Sequence, residues 1–341
     1  MNSVSRPKFP TESQVSIKHA LVNCKINGRS SLAFFDSGCT VSCIALSTAN
    51  DLGLSDRINT SARGLVEGLG GQRNIIGIVE DLCLQFEKDL IMNVTILVLE
   101  KSDIAWILLG ADFMWRQKAC INYIDGSIGI QVDTVRQRSC LKFSVSFRDA
   151  HSYASDISLK SAGFSLLDFR QIHPCFIVTV NGVLVPARID SGASNSLIHQ
   201  ELARKIKILK YTDCEKRSRN RGIERVECLG RIPPFPVEIR ENIIVFMPLE
   251  VIAGTNPINE LLIGSDFMTY YGCEIDFASK SFSFSLNSKI EIRFCTVNDQ
   301  ISSLINGKPQ SCKEEHSPDP FSNLEWADFL AKIHVKSDFK C

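Results

Sequence analysis

Two stretches of this chain alternate apolar and polar positions with period two, and each runs into the same dipeptide. Val22, Cys24 and Ile26 alternate with polar neighbours before Asn27-Gly28, and Phe176, Val178 and Val180 do the same before Asn181-Gly182. Period two predicts a half-buried β-strand. Asn-Gly supplies the positive φ angles of a two-residue hairpin turn. Each stretch therefore reads as strand, tight turn, strand. Further on, Ile107, Leu108 and Leu109, and likewise Leu261, Leu262 and Ile263, form short apolar runs that end at a glycine. These predict buried strands, each followed by one short helix. Near the C-terminus, Trp326, Phe329, Leu330 and Ile333 share one face of a candidate helix over Phe321–Val335, expected to dock on the body, with a partner-binding helix as the alternative.

The similarity of the two stretches is a repeat. Ile26–Ile44 realigns on Val180–Ile198 at an offset of 154 residues, so Asp36-Ser37-Gly38 falls on Asp190-Ser191-Gly192. Gly68 falls on Gly222, with a one-residue gap soon afterwards, and the register then returns. Gly110, Asp112, Phe113 and Met114 fall on Gly264, Asp266, Phe267 and Met268. In both copies the aspartate of Asp-Ser-Gly stands 74 residues before that glycine. One Asp-Ser-Gly is a weak signal; two copies of a multi-part pattern at matched spacing are a strong one. The expected architecture is all-β, with lobe 1 at about residues 14–132 and lobe 2 at about 168–286. Residues 133–167 connect them and could add a strand of their own, and a polar tail runs from 296 to 341.

Composition narrows the function classes. The 341 residues are 44% hydrophobic and 22% charged, and 38 basic residues balance 38 acidic ones. That balance gives no electrostatic case for nucleic acid or an acidic membrane surface. The six histidines share no metal-like spacing with one another or with cysteine, so neither a metal nor a cofactor is predicted. Nucleophile-elbow and phosphate-loop motifs are absent from the sequence. The 13 cysteines are odd in number and lack a CxxC pair, which suits free thiols in a reducing compartment. With no apolar core for a secretory signal and no run long enough to span a membrane, the expected location is cytoplasm or nucleus.

The duplicated Asp-Ser-Gly carries the chemistry. Two carboxylates that share a proton can hydrolyse a peptide bond: one takes a proton from water while the other, protonated, polarises the scissile carbonyl. Such a pair needs approximate two-fold symmetry, and a repeat supplies it. Asp36 and Asp190 are the expected catalytic pair. Ser37 and Ser191 can hydrogen-bond across the axis, while Gly38 and Gly192 allow a tight turn and close approach of backbone N–H groups to a carboxylate. Asp112 and Asp266 also repeat, but each stands at a helix start, where a structural role is favoured. Cys39, opposite Ala193, reads as a small buried filler, with a redox switch as the alternative.

FFDSGCT and RIDSGAS, followed by ILLGADFM and LLIGSDFM, resemble the D-[ST]-G and downstream I-[IL]-G helix motifs of retropepsins. The look is nearest to retrotransposon proteases and cellular retropepsin-like enzymes. The resemblance covers both lobes. It implies closed β lobes, a site at the lobe interface, and a peptide bound in extended form beneath flaps. Most retropepsins build the site from two identical chains; here the halves are joined as a pseudo-dimer, a layout similar to pepsin, which is otherwise the weaker match. Gly68, Gly70 and Gly71 fall in the expected lobe-1 flap, and Gly222 in that of lobe 2. There Lys216, Arg217, Arg219, Arg221 and Arg225 form either a solvated loop or a surface that steers acidic substrates. The leading expectation is a single-chain aspartic endopeptidase. The alternatives are an inactive relative that binds peptides or proteins, and lobes that pair with their twins in a second chain.

Overall fold

The computed structural model describes residues 17–68, 71–87, 90–100, 105–131, 138–142, 158–160, 173–215, 227–253, 259–286 and 288–294. Lobe 1 opens with β1 (Leu21–Ile26) and β2 (Arg29–Phe35), paired antiparallel. Their turn residues Asn27 and Gly28 have φ angles of 52° and 75°. Both are positive, as the Asn-Gly reading requires. Next come β3 (Cys43–Ala45), α1 (Leu46–Asp51), β4 (Gly64–Gly68), β5 (Gly71–Glu87), β6 (Leu90–Leu99), β7 (Ile107–Leu109) and α2 (Ala111–Arg116). The strands run in the order β1-β2-β7-β3-β6-β5, and a β1–β5 pairing closes the ring. In β5 the register with β6 shifts between Ile75 and Gly77 and between Val79 and Leu82. Such irregularities bend a 17-residue strand, which here serves both the barrel wall and a projecting hairpin with β4.

Four short strands follow: β8 (Cys120–Asn122), β9 (Ser127–Gln131), β10 (Arg138–Lys142) and β11 (Ser158–Lys160). Lobe 2 repeats the first plan with β12 (Cys175–Val180), β13 (Val183–Ile189), β14 (Leu197–His199), α3 (Gln200–Lys205), β15 (Glu227–Arg240), β16 (Ile243–Ala253), β17 (Leu261–Ile263) and α4 (Ser265–Tyr271). Its closed barrel, β12-β13-β17-β14-β16-β15, matches the first ring strand for strand. The chain continues through β18 (Glu274–Asp276), β19 (Ser281–Ser285) and β20 (Lys289–Arg293).

Strands from the two halves then meet in one sheet, β10-β9-β8-β18-β19-β20. At its centre Ile121 of β8 pairs with Ile275 of β18, its own counterpart in the repeat. A residue paired with its counterpart marks where the approximate two-fold axis passes. Trp115 from α2 packs edge-on against Phe277 at 5.2 Å and Phe294 at 5.9 Å, so aromatic burial joins the halves as well. Inside the barrels lie the inward positions of the alternating strands, among them Val22, Cys24, Ile26, Phe35 and Leu84 in lobe 1. Val178, Val180, Val185, Ile189 and Met247 fill the same role in lobe 2.

The expectation of one short helix per lobe is corrected: α1 and α3 form directly after β3 and β14. At six residues each they are too short to show a 3.6-residue period in the sequence. The C-terminal candidate helix and the basic stretch at 216–225 lie outside the described residues. So do Gly70 and Gly222.

Candidate active site

Each catalytic candidate leaves the end of a strand held between two others. The Asp36 N–H donates to Leu109 O at 2.9 Å and the Asp190 N–H to Ile263 O at 2.9 Å, extending the parallel β2–β7 and β13–β17 pairings by one residue. The chain then turns, and its next amides fold back on the carboxylate. Gly38 and Cys39 donate to Asp36 Oδ1 at 2.9 and 3.2 Å; Gly192 and Ala193 both donate to Asp190 Oδ1 at 2.9 Å. Both acids are fully buried.

The two serines lock one turn onto the other. The Ser37 N–H donates to Ser191 Oγ at 2.8 Å, and the Ser191 N–H donates to Ser37 Oγ at 2.9 Å. Each hydroxyl then donates across the axis, Ser37 Oγ to Ile189 O and Ser191 Oγ to Phe35 O, both at 2.8 Å. All four bonds are buried and join the two lobes of one chain. A Cβ placed on Gly38 would overlap the Asp190 carboxyl, and one on Gly192 would overlap that of Asp36. Each acid thus lies against the other lobe's turn, near enough for the charge of Asp190 to act on Asp36. Burial, and next the like charge of Asp190, raise Asp36 well above the ordinary carboxylate range, overcoming the lowering effect of its amide donors. Asp36 Oδ2 is buried and has no hydrogen-bond partner among the described residues.

Asp112 and Asp266 stand outside this arrangement. Asp112 Oδ1 accepts from Ser42 Oγ at 2.9 Å and Asp266 Oδ1 from Ser196 Oγ at 2.8 Å. The same serine oxygens accept from the N–H groups of Gly110 and Gly264, each at 3.1 Å. The opening amides of the helices also reach the Asp-Ser-Gly turns, Ala111 N–H to Cys39 O and Ser265 N–H to Ala193 O, each at 2.7 Å. These contacts make α2 and α4 braces for the turns. Cys39 is fully buried, its thiol donates to Val41 O at 2.9 Å, and burial pushes it well above the usual thiol range. That is the state of a packing residue rather than a reactive thiolate.

Around the pair the repeat diverges. Two residues before the first acid, Phe34 meets Trp106 edge-on at 6.1 Å. At the corresponding positions Arg188 pairs with Glu260 at 2.6 Å, an ion pair with little exposure. The β4–β5 hairpin closes at Gly68↔Gly71, and near its base Val66 and Ile75 pack in one apolar cluster with Cys39, Val41, Cys43 and Leu108. The other edge of β4 carries β11 antiparallel, with Leu159 opposite Val66.

Several site residues escaped the sequence reading. Ser265 Oγ donates to Ser191 O at 3.1 Å and lies 3.3 Å from the hydroxyl of fully buried Tyr123. His173 bridges Ser37 O and the Thr40 hydroxyl. One signal was available: His173 stands 154 residues after His19, the offset of the acids. Among the described residues no group of three or more His, Cys, Asp or Glu side chains is placed to hold a metal, and no helix is long and apolar enough to cross a membrane.

Comparison with known proteins gives a consistent outcome. The family model described as aspartyl protease matches twice, over residues 11–122 and 168–276. Protein DNA-DAMAGE INDUCIBLE 1 of Arabidopsis thaliana is 33% identical over 97 residues, which are 28% of this chain and 23% of that protein. The Leishmania major protein DDI1 homolog is 29% identical over 126 residues, 37% of this chain and 30% of that protein. The UBA domain-containing protein Mud1 of Schizosaccharomyces pombe is 34% identical over 101 residues, 30% of each chain. Each match thus spans less than a third of the curated relative. Among solved structures, the retroviral protease-like domain of Ddi1 from Leishmania major is 28% identical, over 37% of this chain and 97% of that domain, with a TM-score of 0.33.

Proposed function

This chain belongs to the aspartyl protease family, and we propose that it is a single-chain endopeptidase whose acids Asp36 and Asp190 activate one water between them. The observation that carries this reading is the reciprocal locking of the two Asp-Ser-Gly turns, which sets each carboxylate against the glycine of the other lobe. Two like charges so close and so buried do not both ionise readily. The pair therefore holds one proton over a broad pH range. The ionised member removes a proton from water as it attacks the scissile carbonyl, and the protonated member donates to the carbonyl oxygen. Collapse of the tetrahedral intermediate expels the amine, which takes up a proton from one acid, while a hydroxyl of the intermediate returns its proton to the other, restoring the singly protonated pair.

The substrate in this reading is a peptide in extended form. The edge of β4 away from β5 takes an antiparallel strand, β11, in the manner of strand addition. The β4–β5 hairpin acts as the flap, with Gly68 and Gly71 at its turn. An aromatic pair flanks one acid and a shielded ion pair the other, so the two sides of the scissile bond meet unlike surroundings. Domain limits near 14–132 and 168–286 follow from the same scheme, in which both halves of one site lie in one chain.

A peptide library and a peptide bearing a hydroxyl-substituted tetrahedral carbon in place of the scissile carbonyl test this together. The chain is expected to cut the library at acidic to neutral pH and to bind one such inhibitor per chain by calorimetry. The active species is expected to sediment as a monomer; activity confined to a dimer would place the halves of a site in different molecules. Binding without any cleavage would make the protein a peptide-binding module instead.

A further inference from the structure

We propose that His173 is a positioning residue for the lobe-1 acid, clamping both ends of the turn that holds Asp36 from across the lobe boundary. The inference rests on Asp36 and Asp190 being the working pair. His173 is 2% exposed and Thr40 is fully buried. The ring's Nδ1 lies 3.1 Å from Ser37 O and its Nε2 lies 2.9 Å from Thr40 Oγ1. A carbonyl oxygen only accepts, so Nδ1 carries the hydrogen. In the neutral ring Nε2 then accepts, and the Thr40 hydroxyl donates to it. One tautomer satisfies both contacts.

The position of these contacts gives them their consequence. Ser37 and Thr40 bound the segment whose two inner amides, Gly38 and Cys39, donate to Asp36 Oδ1. Fixing both ends fixes the aim of those amides. The ring is itself anchored, because the next residue, Pro174, accepts from the Ile189 N–H at 2.9 Å, immediately before Asp190. A single histidine from lobe 2 thus connects the approach to one acid with the turn that carries the other.

The repeat provides an internal contrast. His19, in the equivalent place, stands edge-on to Phe34 at 6.2 Å, and burial lowers its pKa to about 4. The hydroxyl of Ser194, at the position of Thr40, has no hydrogen-bond partner among the described residues. Ser191 O takes its hydrogen bond from Ser265 instead. Duplication supplied two histidines, and one of them became the clamp.

The test compares His173→Ala, His173→Leu and His173→Asn with the wild type. Asparagine can place its amide N–H where Nδ1 stood and donate to Ser37 O; leucine fills space without donating. Alanine and leucine are expected to lower kcat for peptide cleavage about five- to twenty-fold, the range of one or two lost hydrogen bonds, with KM within about twofold. The acidic limb of kcat/KM is expected to move to higher pH, because Asp36 loses well-aimed donors to its ionised form. The other titratable groups near Asp36, namely Asp190, Cys39, Cys43 and Tyr123, are the same in all variants. Asparagine is expected to restore the limb and most of kcat.

Loss of activity in the asparagine variant equal to that in the leucine variant, at matched urea midpoints, would reduce His173 to packing. So would an unmoved acidic limb. A readout independent of turnover separates this from failure of the protease reading. In NMR, His173 is expected to carry its hydrogen on Nδ1, and the Asp36 carboxyl to titrate higher in His173→Leu. The opposite tautomer, or an unchanged Asp36 titration, overturns the clamp even if the wild type cuts no peptide.

Discussion

Asp36→Asn and Asp190→Asn are each expected to cut kcat for peptide hydrolysis by about 10²–10⁴-fold or more, the range lost with a general acid or base. The double variant is expected to be no worse than either single one. In the proposed mechanism the carboxylates act as a unit, so removing the second after the first is expected to remove nothing further. Stability is expected to move the other way. In the folded protein Asp36 titrates well above its ordinary range because it is buried beside a like charge. Its favourable protonated state is fully available at pH below about 4, the ordinary aspartate value. As pH rises from there toward the folded-state value, the unfolded chain gains stability by ionising and the native one does not. Asparagine is neutral throughout and escapes that penalty. The Tm of Asp36→Asn is therefore expected to exceed that of the wild type at neutral pH, by about 2–4 °C for each kcal/mol recovered. The difference is expected to vanish near pH 4. Thermal scans at the two pH values read the sign directly.

Gly192→Ala is expected to be damaging in both respects. Its added methyl group would overlap the Asp36 carboxyl, which cannot swing aside cheaply because two amides hold its Oδ1. Either the acid leaves its donors or the Ser37–Ser191 lock opens. Overpacking of this kind costs about 1–3 kcal/mol, and the displaced carboxylate is expected to lose about 10²-fold or more in kcat, as a misplacement of about 1 Å does. Gly38→Ala mirrors it against Asp190. A double-mutant cycle isolates the cause. In an Asp36→Ala background the obstacle is gone, so Gly192→Ala is expected to cost clearly less stability by urea denaturation. An equal cost in both backgrounds would mean that the backbone of the turn, rather than the opposing acid, requires glycine there.

How far the sequence could be read follows from which features the two-fold axis duplicates. The acids, their serines and glycines, the Asn-Gly turns and the glycine before each bracing helix all occur twice at one offset, and a symmetric site needs each of them twice. Ile121 facing Ile275 is the same regularity seen in the shared sheet. The parts that were not legible are those in which the copies differ. Tyr123 and Ser265 form a polar contact across the lobes, while their counterparts Phe277 and Ala111 are both apolar. Nothing in either local pattern says that the two differences belong together. His173 and His19 share an offset but not a function, because only the three-dimensional approach brings one ring to a carbonyl and a hydroxyl. Cys39 and Ala193 differ similarly: both are small enough for the turn, and the thiol adds a bond to Val41 O without altering the acid's donors.

Carbon-13 NMR titration of the Asp36 carboxyl, in the wild type and in Asp190→Asn, addresses the shared proton without depending on any substrate. Asp36 is expected to titrate well above an ordinary aspartate in the wild type, and lower in Asp190→Asn, where the opposing charge is removed. An Asp36 that titrates near its ordinary value, and does so equally in both proteins, would mean that the two acids do not hold a proton between them.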